Sequence, residues 1–289
     1  MTVERDRLVV PAPAKVNLFL HVTGRRDDGY HTLESLFTLI DWCDTITLTR
    51  RDDGVIARSG PVPGVPESVD LALAAARALK AAAGATGGVT IGIQKEIARG
   101  AGLGGGSSDA ASVLLALNRL WGLALPRTEL AAIGATLGAD VPFFIGGEPA
   151  LVRGIGELLT PVSLPASWLA LVVPPVEVAT KTIFAALRLT HFTASAKMDV
   201  FSEGYGRNDL EAVVAARFPA VAAAIDALKL ASPRARMTGS GACAFAAFAT
   251  ENDARTAVAA LPPGFAGRVV RTLTRHPLFA FAYPFGTGS

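Results

Sequence analysis

The chain is poor in the residue patterns that mark disulfide-rich, metal-binding and membrane proteins. Only two of its 289 residues are cysteines, Cys43 and Cys243, which is too few for a disulfide framework. The four histidines are scattered and show no zinc spacing with the cysteines. No apolar run is long enough to span a membrane, and the charged N-terminal segment lacks the apolar region of a signal peptide. We therefore expect a cytoplasmic protein without a membrane partner.

A strong charge of one sign is also missing. The 27 Lys and Arg against 25 Asp and Glu give a formal net charge of +2, which provides no basic footprint for nucleic acid. Hydrophobic residues make up 51% of the chain and charged residues 18%, which is ample for a sizeable core. The length predicts two domains. We expect a globular protein that does not bind nucleic acid.

What the chain does have is glycine, concentrated in the segment 100–109 (GAGLGGGSSD). Five glycines fall within seven positions there, and they free the backbone N–H groups to turn toward one ligand. A helical pattern follows over 107–121, with Ser107 or Ser108 as the predicted N-cap and Gly122 just beyond its end. The free N–H groups and the positive end of the helix dipole predict an anion site, most often for phosphate.

Other interpretations of this glycine segment fit less well. A Walker A loop ends in Gly-Lys-Ser/Thr, whereas this one has Gly106-Ser107. The spacing of Gly100, Gly102 and Gly105 matches the dinucleotide fingerprint. However, the predicted strand 89–93 ends too early before the loop, and no acidic residue follows at the position that would bind the ribose. Both observations disfavour a nicotinamide-dependent oxidoreductase. Protein-kinase signatures are absent. A turn that only caps a helix needs one glycine rather than five.

Hydrophobic periodicity predicts an α+β fold. In the first half it predicts strands at 12–22, 33–39, 44–49 and 89–93 and helices at 71–83, 107–121 and 127–137. In the second half it predicts strands at 168–173, 242–248 and 268–273 and helices at 180–189, 209–230 and 253–261. Pro219 is expected to break or kink the helix at 209–230. Pro- and Gly-rich segments between 146 and 165 predict a domain boundary.

Three polar residues admit both a chemical and a structural interpretation. Lys15 and Asn17 share the polar face of the first strand, where a lysine either neutralises phosphate charge or is simply solvated. Asp140 precedes Pro142 in a short turn, where it either caps a helix or takes a proton from a substrate hydroxyl.

Two further segments also admit two interpretations each. The second glycine turn, 238–243 (TGSGAC), is either an ordinary hairpin turn or a loop that closes over phosphates from the other domain. Tyr30 and His31 follow the Asp28-Gly29 turn and either pack at a strand edge or contact a flat ring.

Together these segments resemble the superfamily of galactokinase, homoserine kinase, mevalonate kinase and phosphomevalonate kinase. Three motifs match in order: 13–20 (PAKVNLFL), the glycine loop, and 238–243. The resemblance covers nearly the whole chain. It implies a ribosomal-S5-like N-terminal domain over 1–155 and a ferredoxin-like C-terminal domain over 156–289, with the site between them and a last strand that returns to the N-terminal domain.

Within the superfamily, the segments 24–33 (GRRDDGYHTL) and 137–143 (LGADVPF), with Asn208-Asp209, resemble the members that act on 4-diphosphocytidyl-2-C-methyl-D-erythritol. The resemblance implies transfer of the γ-phosphate of ATP, with Mg²⁺, to the 2-hydroxyl of that substrate on the non-mevalonate route to isoprenoid precursors. The alternatives are another small-molecule kinase of the superfamily and a non-catalytic nucleotide binder on the same fold. The sequence leaves the oligomeric state open.

The resemblance also implies roles for residues around the phosphates. Asp140 resembles the general base, Lys15 its charged partner that stabilises the phosphoryl group, and Asn17 a residue lining the acceptor site. Ser108 and Asp109 are candidates for the magnesium ligands. The residues that resemble the ATP phosphate loop are Ala98, Arg99, Gly100, Ala101, Gly102, Leu103, Gly104, Gly105, Gly106, Ser107 and Ser108.

At the other end of the acceptor, His31 resembles the residue that reads the cytosine edge, with Tyr30 and Phe184 stacking on the ring. Gly239 and Gly241 are expected to approach the substrates from the C-terminal domain. The chain departs from the family in one place: Asp70 stands where members commonly carry Asn near the adenine, which bears on nucleotide preference.

Overall fold

The computed structural model describes residues 2–4, 6–187, 192–193 and 206–282. Its strands are β1 (Thr2–Glu4), β2 (Arg7–Arg25), β3 (His31–Arg51), β4 (Ile56–Arg58), β5 (Gly88–Gln94), β6 (Ala150–Gly154), β7 (Leu158–Pro161), β8 (Trp168–Val172), β9 (Arg236–Met237), β10 (Ala244–Phe248) and β11 (Gly267–Leu273). Its helices are α1 (Leu71–Ala83), α2 (Gly105–Leu120), α3 (Arg127–Ala135), α4 (Val141–Gly146), α5 (Thr180–Ala186), α6 (Glu211–Arg217), α7 (Pro219–Lys229) and α8 (Glu251–Ala259).

Most predicted elements are confirmed to within a few residues, and the clearest error concerns β3. The predicted strands 33–39 and 44–49 are one continuous strand, because the residues between them include no glycine or proline to end it. Pro219 does break the predicted helix 209–230, which forms the two helices α6 and α7. The predicted helix 180–189 ends at Ala186, and positions 188–189 lie outside the described residues.

The long antiparallel pair of β2 and β3 runs from Arg7↔Thr49 to Arg25↔His31 and is the centre of the N-terminal half. The register with β3 shifts between Asn17 and Phe19, so the periodicity that predicts a strand at 12–22 is interrupted there. Phe19 is buried in a small core of its own. The irregularity lies directly beside the polar residues of β2.

One sheet continues through both halves of the molecule, in the order β1-β2-β3-β11-β8-β10-β9, while β5 and β6 also pair with β3. The strand β11 pairs antiparallel with both β3 and β8. The largest core packs α1, α2 and α4 on the N-terminal strands, and a second core packs α7 and α8 in the C-terminal half. A third cluster, which includes Val16, Leu103 and Phe245, joins the two halves beneath the glycine loop.

Among the described residues, no helix has the length and apolar character needed to cross a membrane. Cys43 and Cys243 are both free, in agreement with the expectation that no disulfide framework is present. Burial raises the pKa of the Cys243 thiol to about 12, so this side chain packs as a small apolar group.

The end of the described chain is fastened to the N-terminal half by buried polar groups. The backbone N–H of His276 donates to the Gly147 carbonyl at 2.7 Å, and the Nδ1 atom of His276 accepts from the Leu278 N–H at 3.0 Å. Arg127 is fully buried and donates to the carbonyls of Ile145 and Phe279. Burial, and next the charge of Arg127, lower the pKa of His276 from 6.5 to about 3.

The low pKa of His276 in the folded protein predicts that the free energy of unfolding depends on pH. The unfolded chain takes up a proton at His276 as the pH falls through 6.5, while the folded state does not, so folding loses about 2 kcal/mol between pH 7 and pH 5 from this group. His276→Asn keeps an acceptor for the Leu278 N–H but cannot be protonated. Urea unfolding at both pH values should show a loss that is about 2 kcal/mol smaller in the variant. Equal losses in both proteins would contradict the assignment.

Candidate active site

The glycine loop leads into α2 through glycine rather than serine. The N-cap is Gly104, in the left-handed region with φ 72°, and no side chain caps the helix, so the predicted caps at Ser107 and Ser108 are wrong. The Ser108 hydroxyl instead donates to the Pro13 carbonyl at 2.6 Å and ties the helix to β2. The N–H groups of the first turn are therefore without a side-chain cap, as a phosphate site requires.

The two glycine turns pack directly against each other. Gly102 has φ +77°, and a Cβ atom there would lie 2.8 Å from the Thr238 carbonyl oxygen and 2.9 Å from that of Gly241. The N–H of Cys243 donates to the Ala101 carbonyl at 3.1 Å. Glycine at 102 is thus required both by its backbone conformation and by the close approach of the second turn.

A cavity of about 380 Å³ lies along the loop and has the size of a small-molecule site. It is lined by residues 98–107, by apolar residues that include Val62, Val69 and Ile93, and by the charged Lys95 and Asp109. Asp70 also lines this cavity. Its Oδ1 atom caps α1 by accepting from the Ala72 N–H at 2.9 Å, and its Oδ2 atom lies 3.4 Å from the Arg58 Nη1 atom.

A second cavity of about 220 Å³ brings together several of the predicted site residues. It is lined by Gly102 and Gly104 of the loop and by Lys15, Asn17, Asp140, Phe184 and Gly239. Its lining therefore combines side chains of the N-terminal half with residues of the C-terminal half. Gly241 instead faces Met237, Val214 and Val178, and its φ of +96° shapes the second glycine turn.

Lys15 and Asp140 form an ion pair in this cavity. The Lys15 Nζ atom lies 3.6 Å from the Asp140 Oδ2 atom, and the two side chains are 5% and 31% exposed. The same ammonium donates to the Asn17 Oδ1 atom at 2.5 Å and lies 4.5 Å from the centre of the Phe37 ring. A buried ammonium held by an amide, an aromatic face and a carboxylate is well placed to meet an anionic substrate.

The alternative that Asp140 caps a helix does not hold. Asp140 stands at the N-cap of α4, yet its carboxylate accepts no capping hydrogen bond, and Pro142 in the first turn has no N–H to donate to it. The carboxylate is directed to Lys15 instead. Its partly exposed oxygens can therefore accept a proton from a bound hydroxyl.

His31 and Phe184 meet across the two halves of the molecule. Their ring centroids are 5.7 Å apart at an interplanar angle of 30°, a stacked arrangement. Burial, and next the charge of Arg25, lower the pKa of His31 below 6.5, which favours the neutral ring. Tyr30 is 63% exposed, with its ring at the surface.

Both candidate magnesium ligands, Ser108 and Asp109, have protein partners in the structure. The Ser108 side chain is fully buried and its hydroxyl proton is given to Pro13. The Asp109 Oδ2 atom accepts from the Lys95 ammonium at 2.7 Å, while its Oδ1 atom has no hydrogen-bond partner among the described residues. Burial raises the pKa of Asp109, with Lys95 opposing and Asp44 adding to the effect. Within the described ranges, no group of three or more His, Cys, Asp or Glu could hold a metal ion.

Sequence reasoning gave no role in the site to several polar residues that shape it, including Asn208, which it used only as part of a family motif. The Asn208 amide donates to the Gly239 carbonyl at 2.8 Å and holds the second glycine turn. Thr180 and Ser240 line the smaller cavity, and their hydroxyl oxygens are 2.6 Å apart. Ser240 lies inside the glycine motif and could have been noticed, whereas nothing in the local sequence distinguishes Thr180.

Comparison with known proteins identifies the class. The model of the GHMP kinases N-terminal domain matches residues 70–148, and that of the GHMP kinases C-terminal domain matches residues 184–266. A homoserine kinase structure from Cytophaga hutchinsonii shares the fold, with a TM-score of 0.66 at 18% identity over 96% of this chain and 97% of that one. The chain belongs to the GHMP kinases, which confirms the expected superfamily and its two-domain architecture.

The particular family follows from more similar relatives. The chain is 55% identical over 277 residues to the 4-diphosphocytidyl-2-C-methyl-D-erythritol kinase of Cupriavidus necator, covering 94% of this chain and 95% of the relative. The same kinase of Thiobacillus denitrificans is 54% identical, with 94% and 97% covered. A crystal structure of 4-(cytidine 5'-diphospho)-2C-methyl-D-erythritol kinase matches with a TM-score of 0.82 at 35% identity, covering 92% of this chain and 99% of that one. The chain is a member of the 4-diphosphocytidyl-2-C-methyl-D-erythritol kinase family.

Proposed function

We propose that this protein transfers the γ-phosphoryl group of ATP to the 2-hydroxyl of 4-diphosphocytidyl-2-C-methyl-D-erythritol. The observation that carries the proposal is the Lys15–Asp140 ion pair, which lies in one cavity with Gly102 and Gly104 of the glycine loop. A base, a cation and an anion-binding loop are the parts that direct phosphoryl transfer to an alcohol requires. We infer the identity of the acceptor substrate from the names of the relatives.

In this mechanism the phosphoryl group moves directly between the two substrates. Asp140 accepts the proton of the 2-hydroxyl, and the Lys15 ammonium lies beside the phosphoryl group and attracts its charge. The N–H groups at the start of α2 hold the phosphates of the donor. A tertiary alcohol is weakly acidic and hindered, so the positioning of the two substrates contributes more than the strength of the base.

Mg²⁺ is the cofactor we expect to accompany ATP, because divalent cations neutralise charge in phosphoryl transfer. We assign it no protein ligand among the described residues: the Ser108 hydroxyl donates to the Pro13 carbonyl, and Asp109 has only its Oδ1 atom without a partner, since its Oδ2 atom accepts from Lys95. For the donor, we propose that residues 98–107 bind the phosphates and that the apolar residues lining the larger cavity, which include Val62, Val69 and Ile93, contact the base. Because the Asp70 carboxylate lines that cavity, a comparison of the KM values for ATP and GTP would show whether Asp70 affects nucleotide preference.

We further propose that the stacked His31 and Phe184 receive the cytosine ring at the other end of the acceptor. Tyr30 lies at the neighbouring surface, from which it can cover the ring once it is bound. We place Gly239 against the acceptor and assign Gly241 to the shape of its turn. We keep the division into domains at 1–155 and 156–289 as a proposal.

This arrangement predicts a selective effect of His31→Ala. The variant removes a hydrogen-bonding group from the proposed cytosine site and leaves the glycine loop untouched. We expect the KM for the cytidine substrate to rise at least about tenfold while the KM for ATP stays within about twofold. Steady-state kinetics with each substrate varied in turn measure this. Equal weakening of both substrates would remove His31 from the cytosine site.

An ADP-release assay tests the proposed function as a whole. The protein is given ATP and Mg²⁺ with 4-diphosphocytidyl-2-C-methyl-D-erythritol, and with mevalonate, homoserine and galactose as controls. Turnover with the cytidine compound alone is the expected result. Turnover with a control compound would overturn the acceptor, and ATP binding without turnover of any compound would indicate a non-catalytic nucleotide binder.

A further inference from the structure

A buried serine on β3 is hydrogen-bonded to the polar cluster that contains Lys15. Ser35 is fully buried, and its hydroxyl oxygen lies 2.9 Å from the Asn17 Nδ2 atom and 2.5 Å from the Phe19 carbonyl oxygen. Asn17 is also buried, and its Oδ1 atom receives the Lys15 ammonium. Ser35 thus lies two hydrogen bonds from the ammonium that faces Asp140.

Only one direction of these hydrogen bonds satisfies every group. A carbonyl oxygen can only accept, so the single proton of the Ser35 hydroxyl goes to Phe19. The Ser35 oxygen must then accept from the Asn17 amide nitrogen. An ammonium can only donate, so the amide oxygen has to point at Lys15. The Phe19 carbonyl lies next to the irregularity of β2, beside the register shift after Asn17.

We propose that Ser35 is a positioning residue that fixes the direction of the Asn17 amide and thereby holds the Lys15 ammonium against Asp140. The inference rests on the proposed function for its effect on catalysis, but the hydrogen-bond chain itself is independent of the substrate. Without the hydroxyl, the amide nitrogen loses its acceptor and the amide is free to turn its donor side toward the ammonium. A buried donor left facing a cation is unfavourable, so the ammonium would shift.

The test compares Ser35→Ala with Ser112→Ala. Ser112 is a matched control because it is also fully buried and its hydroxyl also donates to a carbonyl of β2, that of Pro11, but it has no link to Asn17. We expect kcat of Ser35→Ala to fall about tenfold with both KM values within about twofold, and kcat of Ser112→Ala to stay within about twofold. In an Asn17→Ala background, the Ser35→Ala change should have no further effect on kcat. Equal loss in both backgrounds would overturn the proposal.

A second pair of variants covers the case in which Ser35→Ala does not fold. Ser35→Thr and Ser35→Val add the same extra carbon branch, but only threonine keeps the hydroxyl. We expect the threonine variant to have about tenfold higher kcat than the valine variant. Equal kcat values in this pair would contradict the role of the hydroxyl.

A spectroscopic readout separates this inference from the proposed function. The chain has four asparagines, so the side-chain amide signals of protein labelled with ¹⁵N at asparagine are few enough to assign. The Asn17 amide signal should move in Ser35→Ala and return in Ser35→Thr, whichever acceptor substrate the enzyme uses. An unchanged Asn17 signal in Ser35→Ala would overturn the proposal even in an active enzyme, and a shifted signal in an enzyme inactive on the cytidine compound would overturn only the proposed function.

Discussion

Asp140→Asn should lower kcat by about 10²- to 10⁴-fold, the range usually contributed by a general base. The amide has the shape of the carboxylate but cannot take the proton of the substrate hydroxyl. Folding should be preserved, because the Asp140 side chain caps no helix and Lys15 keeps Asn17 and the Phe37 ring as partners. ATP binding, measured by calorimetry, should be unchanged, because Asp140 lies outside the glycine loop.

The matched control for this variant is Asp226→Asn, on the exposed face of α7. It removes the same charge at a residue that lines neither cavity and should leave kcat within about twofold of the wild type. If Asp140→Asn kept full turnover with the cytidine substrate, another group would have to be the base. If it lost both turnover and ATP binding, its effect would be structural.

Lys15→Met should lower kcat by about 10²- to 10³-fold, which is the effect of removing one well-placed electrostatic group from a reacting centre. Methionine has a similar length and an apolar stem, so it can keep the packing against Phe37 while removing the charge. The charge lies 3.6 Å from the base and 5% exposed, where water screens it little. Steady-state kinetics with both substrates measure the effect.

The control is Lys229→Met, at the exposed end of α7, which should behave as the wild type. The kinetic constants also distinguish two roles for Lys15. A lower kcat with unchanged KM values indicates a group that acts in the transition state. A higher KM for ATP with unchanged kcat would place Lys15 in nucleotide binding alone and contradict the mechanism.

The local structure of this chain could be predicted from the sequence because it depends on neighbouring residues. The five glycines before a helical pattern predict a loop with free N–H groups, and the helix α1 begins and ends as its pattern indicates. The break at Pro219 follows from the missing N–H of proline. The motifs also predict the kinase superfamily, since they occur in the right order along the chain.

The predictions of local structure that were wrong concern residues at which tertiary contacts compete with local preference. The sequence offers Ser107 and Ser108 as helix caps, yet the Ser108 hydroxyl is engaged by the Pro13 carbonyl, and glycine forms the N-cap. The alternation of β2 breaks after Asn17, because pairing with β3 shifts the register there. In both contacts the two partners are far apart in the sequence, so the hydrophobic periodicity of one segment could not reveal the contact.

By itself the sequence determined which chemical groups are present and which local backbone shapes carry them. Glycine sterics, strand periodicity and proline geometry act within a few residues and need no fold. Only the tertiary structure decided that the Lys15 ammonium meets the Asp140 carboxylate, that the two glycine turns touch at Gly102, and that a serine on β3 directs the Asn17 amide. Those contacts join segments far apart in the chain, and the packing of the shared core beneath the glycine loop brings them together.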